Sequence, residues 1–242
     1  MSRVILVHGA FHNAGCWDGL KAELESAGHN VTAVDLPSHG HDSTPIETVV
    51  LATYADKVVA ELAKSDEPAV LIGHSMGGMV ITQAADTHIA NGGKLKQLIY
   101  DAAFVPRDGQ SLVDLAGQPE GAGDMVQANV QVAGEPPVGT MPADKAAEAF
   151  YGDCSPEVAA AAIAALDPQP ILAFVMPVAI TNDRDIKRSY VRTMKDKALP
   201  TPLQVKMAAD NNITDVVEIS SDHSPFLSHT KELAGILEGF MA

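Results

Sequence analysis

Cysteine is scarce in this chain: 242 residues hold two, Cys16 and Cys154. Two thiols so far apart make no disulfide framework, and a chain of this length can bury a core without one. Both are expected as reduced thiols. Long apolar runs are missing as well. The longest, 171–180, is interrupted by Pro177 and falls short of the ~20 residues needed to span a bilayer. The N-terminal run 4–7 is too short for a secretory signal and no cleavage site follows it, so a cytoplasmic location is expected. Positive charge is in short supply, with 16 Lys and Arg against 31 Asp and Glu and a net charge of −15. Such a surface repels phosphate backbones and anionic lipid, so neither nucleic acid nor membrane is expected as a partner. Aromatics make up 5% of the chain with one tryptophan, Trp17, which leaves no stacking platform for carbohydrate. What is there is an ordinary globular composition, 46% apolar and 19% charged, long enough for one domain with an insertion. The expected partner is a neutral small molecule. Self-association as a homodimer is the one macromolecular contact kept open.

Short apolar runs alternate with helical patterns, the rhythm of a parallel sheet with helices on both faces. Residues 4–7 form a β-branched run suited to a strand buried on both sides. Trp17, Leu20 and Leu24 share a helical face that Gly28 ends. Residues 31–34 read as the next strand, and Leu51, Ala55, Val58 and Leu62 as a second helical stripe. Residues 69–72 and 95–103 read as two more strands. After Phe104 the rhythm breaks. No strand is expected from 107 to about 183; glycine and proline cluster at 117–123 and 134–139, and 143–150 and 156–166 read as alanine-rich helices. This predicts a mainly helical cap, residues 107–183, inserted into a core made of residues 1–106 and 184–242. The sheet pattern resumes at 189–193 and 216–219. A final helix carries Leu233, Ile236, Leu237 and Phe240 on one face.

The pattern that carries chemistry is Gly73-His74-Ser75-Met76-Gly77-Gly78, a G-x-S-x-G sequence between a strand and a helical segment. A serine on such a turn is held up at the rim of a sheet. Its hydroxyl needs a base, and the base needs a carboxylate to fix its tautomer. In the α/β-hydrolase fold these follow in the order Ser, acid, His, each after a strand. Of nine histidines, only His223 and His229 lie beyond the cap, and His223 follows the last strand closely, so it is the expected base. Asp196, after strand 189–193, is the expected acid. Asp101 at the end of the fourth strand, Asp183, Asp185 and Asp222 stay open as alternatives. An oxyanion hole needs two backbone N–H groups; Met76, after the nucleophile, and Ala10, in the loop after the first strand, are expected to supply them. His8, His12 and His74 read as loop-shaping rather than metal-binding. His39-Gly40-His41-Asp42 lacks the histidine that would complete a zinc motif, so no metal and no cofactor is expected.

With these residues in view, the chain resembles the α/β-hydrolase branch of plant methylesterases and hydroxynitrile lyases, and bacterial esterases related to pyrethroid hydrolases. The likeness is carried by His8-Gly9-Ala10-Phe11-His12, Ala27-Gly28-His29, Val34-Asp35-Leu36, 73–78, 101–111 and Asp222-His223. It implies an α/β-hydrolase fold, a mostly parallel sheet with helices on both faces and the inserted cap. It also favours Asp196, because the family's acid follows a strand like Tyr190-Val191-Arg192-Thr193. The family's lyases carry threonine at the position of Gly9 and lysine at that of Ser224, groups that handle the cyanohydrin hydroxyl and the cyanide. The resemblance therefore implies ester hydrolysis by a Ser75–His223–Asp196 triad, on a small to medium apolar ester. A carbamate, amide or lactone would use the same parts. A hydroxynitrile lyase and a non-catalytic ligand-binding protein are the other readings. Substrate choice is expected to lie with the cap, and Phe11, Phe104, Met125, Phe150, Phe174 and Phe226 are the candidate substrate-binding residues, with Met141 beside them.

Overall fold

The computed structural model describes residues 1–182 and 186–242. In chain order, β1 (Arg3–Val7), α1 (Asp18–Ser26), β2 (Asn30–Val34), α2 (Leu51–Leu62), β3 (Ala69–His74), α3 (Gly77–Ala90) and β4 (Leu95–Asp101) build the first half. Then come α4 (Leu112–Ala116), α5 (Met125–Asn129), β5 (Gln131–Ala133), β6 (Val138–Thr140), α6 (Ala143–Phe150), α7 (Pro156–Ala164), β7 (Gln169–Pro170) and α8 (Leu172–Val175). The chain closes with β8 (Lys187–Thr193), α9 (Thr201–Asp210), β9 (Asp215–Ile219), α10 (Pro225–Ser228) and α11 (Thr230–Met241).

The six-stranded sheet has the order β2-β1-β3-β4-β8-β9, and every neighbouring pair is parallel. Side chains alternate across it, as a period of two requires. Ile5, Val7, Leu71, Leu98, Tyr100 and Tyr190 face one core with α2, α3 and α9 residues. Val4, Leu6, Val70, Ile72, Ile99 and Val191 face the other, with Trp17, Leu20 and Leu24 below and Leu233, Leu237 and Phe240 of α11. Burial on both faces explains why β1 and β3 are nearly unbroken apolar runs. Gly28, at φ +93°, ends α1 in the left-handed turn that favours glycine.

The cap lies between β4 and β8. Its expected start at residue 107 falls in the loop after β4; its expected end at 183, and the candidate acids Asp183 and Asp185, lie outside the described residues. The helices at 143–150 and 156–164 are present. The expectation that 107–183 holds no strand is corrected: β5, β6 and β7 pair as a small antiparallel sheet. These strands are two or three residues long, and β5 is exposed throughout, so no alternation marks them. Helices α4, α5 and α8 were equally unmarked, each being five residues or fewer.

Among the described residues, no helix is long and apolar enough to cross a membrane. Nor do they include a group of three His, Cys, Asp or Glu side chains that could hold a metal ion. Asp42 instead accepts the Ser38 and Thr44 N–H groups and the Lys57 ammonium.

Candidate active site

Ser75 stands between β3 and α3 with φ +53°, a left-handed conformation that costs a non-glycine residue on the order of 1–3 kcal/mol. Packing holds it there. Ser75 N–H donates to the Asp101 carbonyl at 3.3 Å, and the Ser75 carbonyl accepts the Gly78 and Phe104 N–H groups at 3.0 Å each. Gly78 admits this approach, since a Cβ there would collide with the Phe104 carbonyl. Ser75 is thereby held between the end of β3 and the N-terminus of α3, where it lines a cavity.

The sheet brings Asp196 and His223 together from two neighbouring strand ends. Asp196 follows β8 and His223 follows β9, and β8 and β9 are paired. His223 Nδ1 donates to Asp196 Oδ2 at 2.8 Å, and both side chains are almost wholly buried. Asp196 Oδ2 also accepts the Thr193 hydroxyl at 2.7 Å and Gln204 Nε2 at 3.2 Å, while Oδ1 accepts the Ala198 and Leu199 N–H groups. Such a donor shell fixes the carboxylate in place. Burial pulls the His223 pKa down, but the charge and hydrogen bond of Asp196 more than offset this and hold it above its ordinary 6.5. His74 Nε2 donates to the His223 carbonyl at 2.8 Å, which fixes the loop from below. Asp222 serves the same loop: Oδ1 accepts Ser224 N–H and the Ser228 hydroxyl, and Oδ2 accepts Asp153 N–H from the cap.

The loop after β1 is set peptide by peptide. Leu36 N–H donates to His8 Nε2 at 3.0 Å, so the His8 proton is on Nδ1, which donates to the Gly9 carbonyl at 2.8 Å. In a trans peptide the N–H points opposite the C=O, so this bond turns the Ala10 N–H the other way. His12 Nδ1 donates to the Ala10 carbonyl at 2.8 Å, and the Tyr151 hydroxyl donates to His12 Nε2 at 2.9 Å. Burial holds His8, His12 and His74 below their ordinary pKa, His12 at about 4, so all three act as neutral hydrogen-bonding fixtures near neutrality. Phe11, at φ +66°, donates its N–H to Gln169 Oε1 at 3.2 Å and accepts Asp167 N–H at 2.7 Å. Gln169, fully buried, also donates to the Tyr54 hydroxyl. The sequence did not single out this residue; a glutamine between two prolines carries no signal of its own.

Ala10, Ser75, Met76 and His223 all line one cavity of about 220 Å³. Phe11, Phe104, Phe150 and Phe174 line it too. Met125 and Phe226 do not, which corrects that part of the expectation. Met125, at the start of α5, packs into the cluster of Phe11, Phe150 and Ala146. Phe226, in the first turn of α10, is directed inward against Trp17 and His74, each at a ring separation of 4.8 Å. Met141 joins the same cluster as Met125. The wall is completed by aliphatic side chains that an aromatic-led reading passes over, among them Leu112 and Ala116 of α4, Val126 and Val130, and Ile171. Leu112–Ala116 and Val126–Val130 are four apart, the spacing that puts side chains on one helical face.

Asp101 is the alternative acid. It is fully buried, neither carboxylate oxygen has a partner in the structure, and burial pushes its pKa up to about 7. His229 hydrogen-bonds its neighbour Ser228.

The profile of the alpha/beta hydrolase family matches residues 4–236. This chain is an α/β-hydrolase. This α/β-hydrolase is 30% identical over 250 residues to the putative chloroplastic methylesterase 14 of Arabidopsis thaliana, covering 98% of its own chain and 71% of that protein. It is 44% identical over 105 residues to an alpha-hydroxynitrile lyase of the same plant, covering 42% of this chain and 40% of that one. The crystal structure of polyneuridine aldehyde esterase superposes on it with a TM-score of 0.88 at 27% identity, covering 100% of both chains. A pyrethroid hydrolase from Sphingobium faniae JZ-2 superposes with a TM-score of 0.86 at 26% identity, covering 99% and 96%.

Proposed function

We propose that this α/β-hydrolase is a serine carboxylesterase for small to medium apolar esters. The observation that carries the proposal is the buried Asp196–His223 hydrogen bond beside a cavity that His223 shares with Ser75. In this reading Ser75 Oγ attacks the ester carbonyl carbon and its proton passes to His223 Nε2. The imidazolium so formed keeps Nδ1–H on Asp196 Oδ2, whose negative charge stabilises it. The carbonyl oxygen becomes an oxyanion facing the N–H groups of Ala10 and Met76. His223 then protonates the leaving alcohol oxygen as the carbon–oxygen bond breaks, leaving an acyl group on Ser75. Water then attacks the acyl carbon as His223 takes its proton, the bond from that carbon to Ser75 Oγ breaks, and His223 returns the proton to Oγ, releasing the acid. A carbamate, amide or lactone would follow the same steps.

The methylesterase and esterase relatives support this reading, and so does a cavity walled by phenylalanine and aliphatic side chains. The lyase reading has a partial relative behind it, but one contact weighs against it. A Cβ on Gly9 would come within 2.8 Å of Ser75 Cβ and 2.9 Å of His74 Nδ1, so the threonine of the family's lyases does not fit here without displacing the nucleophile. Ser224 supplies no cation for cyanide.

The decisive assay follows p-nitrophenyl butyrate, methyl butyrate and mandelonitrile with wild type, Ser75→Ala, Asp196→Asn and Asp101→Asn. Wild type is expected to cleave the esters and release no cyanide. Ser75→Ala and Asp196→Asn are each expected to lower kcat by about 10³-fold or more, and Asp101→Asn by far less. Ester turnover that survives Ser75→Ala sinks the proposal. A loss confined to Asp101→Asn would move the acid to β4.

A further inference from the structure

The cavity beside Ser75 contains one feature that an apolar-ester site does not need. Asp124, just before α5, lines it, and Gln127 lies next to it on the same wall. Asp124 is 7% exposed. Its Oδ1 accepts the Val126 and Gln127 N–H groups at 2.7 and 3.0 Å, capping α5. Its Oδ2 accepts Gln127 Nε2 at 3.1 Å, and that amide donates also to the Ala116 carbonyl. The carboxylate is thereby fixed in place and cannot swing out to bulk water. Burial raises the Asp124 pKa, and no lysine or arginine is among the described residues lining the cavity, which leaves protonated His223 as the one positive charge there. Asp124 and Gln127 also line an open depression formed by residues 116–123, so the charge lies where the cavity meets the surface. The net charge of −15 adds a repulsive field of the same sign.

We infer that Asp124 makes this cavity select against substrates bearing a negative charge and for those that are neutral or offer a hydrogen-bond donor or cation. A second carboxylate in a space of about 220 Å³ would lie close to Asp124, and like charges at short range repel. A donor is served differently, because Oδ2 has one protein partner and a carboxylate oxygen can accept two. Half-esters of dicarboxylic acids are therefore poor substrates, whereas neutral and amino-substituted esters of the same length are accepted.

This rests on the esterase reading, and the test keeps the two apart. Wild type and Asp124→Asn are compared at about pH 8 on methyl hexanoate, monomethyl adipate and methyl 6-aminohexanoate, three chains of matched length with neutral, negative and positive ends. Asparagine caps a helix as well as aspartate, and thermal melting checks that α5 is intact. Wild-type kcat/KM is expected to be at least about tenfold lower for monomethyl adipate than for methyl hexanoate, a gap of about 1.4 kcal/mol. In Asp124→Asn that ratio is expected to shrink about tenfold, with the amino ester losing ground. Equal wild-type rates on the neutral and anionic esters, or a ratio unmoved by Asp124→Asn, overturn the inference. If no ester is turned over, the esterase reading is what fails. Binding of hexanamide against hexanoate to Ser75→Ala, with and without Asp124→Asn, then reads the charge selection without catalysis; tighter binding of hexanamide that Asp124→Asn abolishes supports it, and indifference to charge overturns it.

Discussion

At the scale of single residues, two carboxylates near Ser75 and His223 face opposite environments. Asp196 accepts five hydrogen bonds, counting that from His223. Asp101, one strand away at the end of β4, accepts none at its side chain and is held up to about 7 by burial, the charges of His223 and Asp196 acting in opposite directions as lesser causes. A carboxyl whose folded pKa is raised keeps its proton where the unfolded chain has lost it. Between its ordinary value of 3.8 and about 7, rising pH therefore costs stability. Asp101→Asn removes that cost, so its melting temperature should exceed wild type by on the order of 5–10 °C at about pH 8, the difference closing as pH falls towards 4. An equal or lower melting temperature at pH 8 would mean that the charged carboxylate is stabilised in place. The pairing of Asp196 with His223 was legible from the chain because each follows a strand of one parallel sheet. The contrast between Asp196 and Asp101 was not, since it depends on the donors supplied by Thr193, Ala198, Leu199 and Gln204, and none of these is marked by type or spacing.

At the scale of elements, the strands of the main sheet declared themselves through β-branched runs buried on both faces, and α1, α2 and α11 through their stripes. What escaped notice was short or polar. β5 to β7 are held by pairing rather than by apolar content, and α9 presents a buried glutamine, Gln204, in the stripe formed with Leu203 and Met207. β7 is the smallest strand and carries a large consequence, because Gln169 joins the cap to the loop bearing Ala10 and to Tyr54 on α2. Gln169→Leu keeps the bulk and strands the Phe11 N–H and the Tyr54 hydroxyl, each at a cost of about 1–3 kcal/mol. If this strand positions the oxyanion loop, kcat should drop at least about tenfold while KM changes little, because the lost interaction is made in the transition state. A fall in melting temperature with kcat intact would leave Gln169 a purely structural tie.

At the scale of the whole molecule, the charge balance sets the sign of the field around the protein. The ion pairs do not offset the excess of acid. Most join a lysine or arginine to a carboxylate at the surface, as in Lys64–Glu61, Lys195–Asp153 and Lys197–Glu148, with the lysine side chains 68%, 52% and 55% exposed. Exposed pairs of this kind contribute about 0–1 kcal/mol each and weaken in salt. Repulsion among 31 acidic side chains with 16 basic ones to balance them acts over the whole surface and is screened by the same salt, since the Debye length falls from about 30 Å at 0.01 M to about 3 Å at 1 M. The repulsive sum is the larger, so screening should stabilise the fold. At about pH 8, the melting temperature is expected to rise by a few degrees between about 0.02 M and 0.5 M sodium chloride. Near the sequence pI of 4.8 the net charge vanishes, and only the weakening of attractive pairs is left, so the rise should disappear or reverse. A melting temperature that falls with salt at pH 8 would show that local pairs, not the net field, govern this surface, and it would also remove the whole-molecule contribution to the exclusion of anionic substrates, leaving Asp124 to act alone.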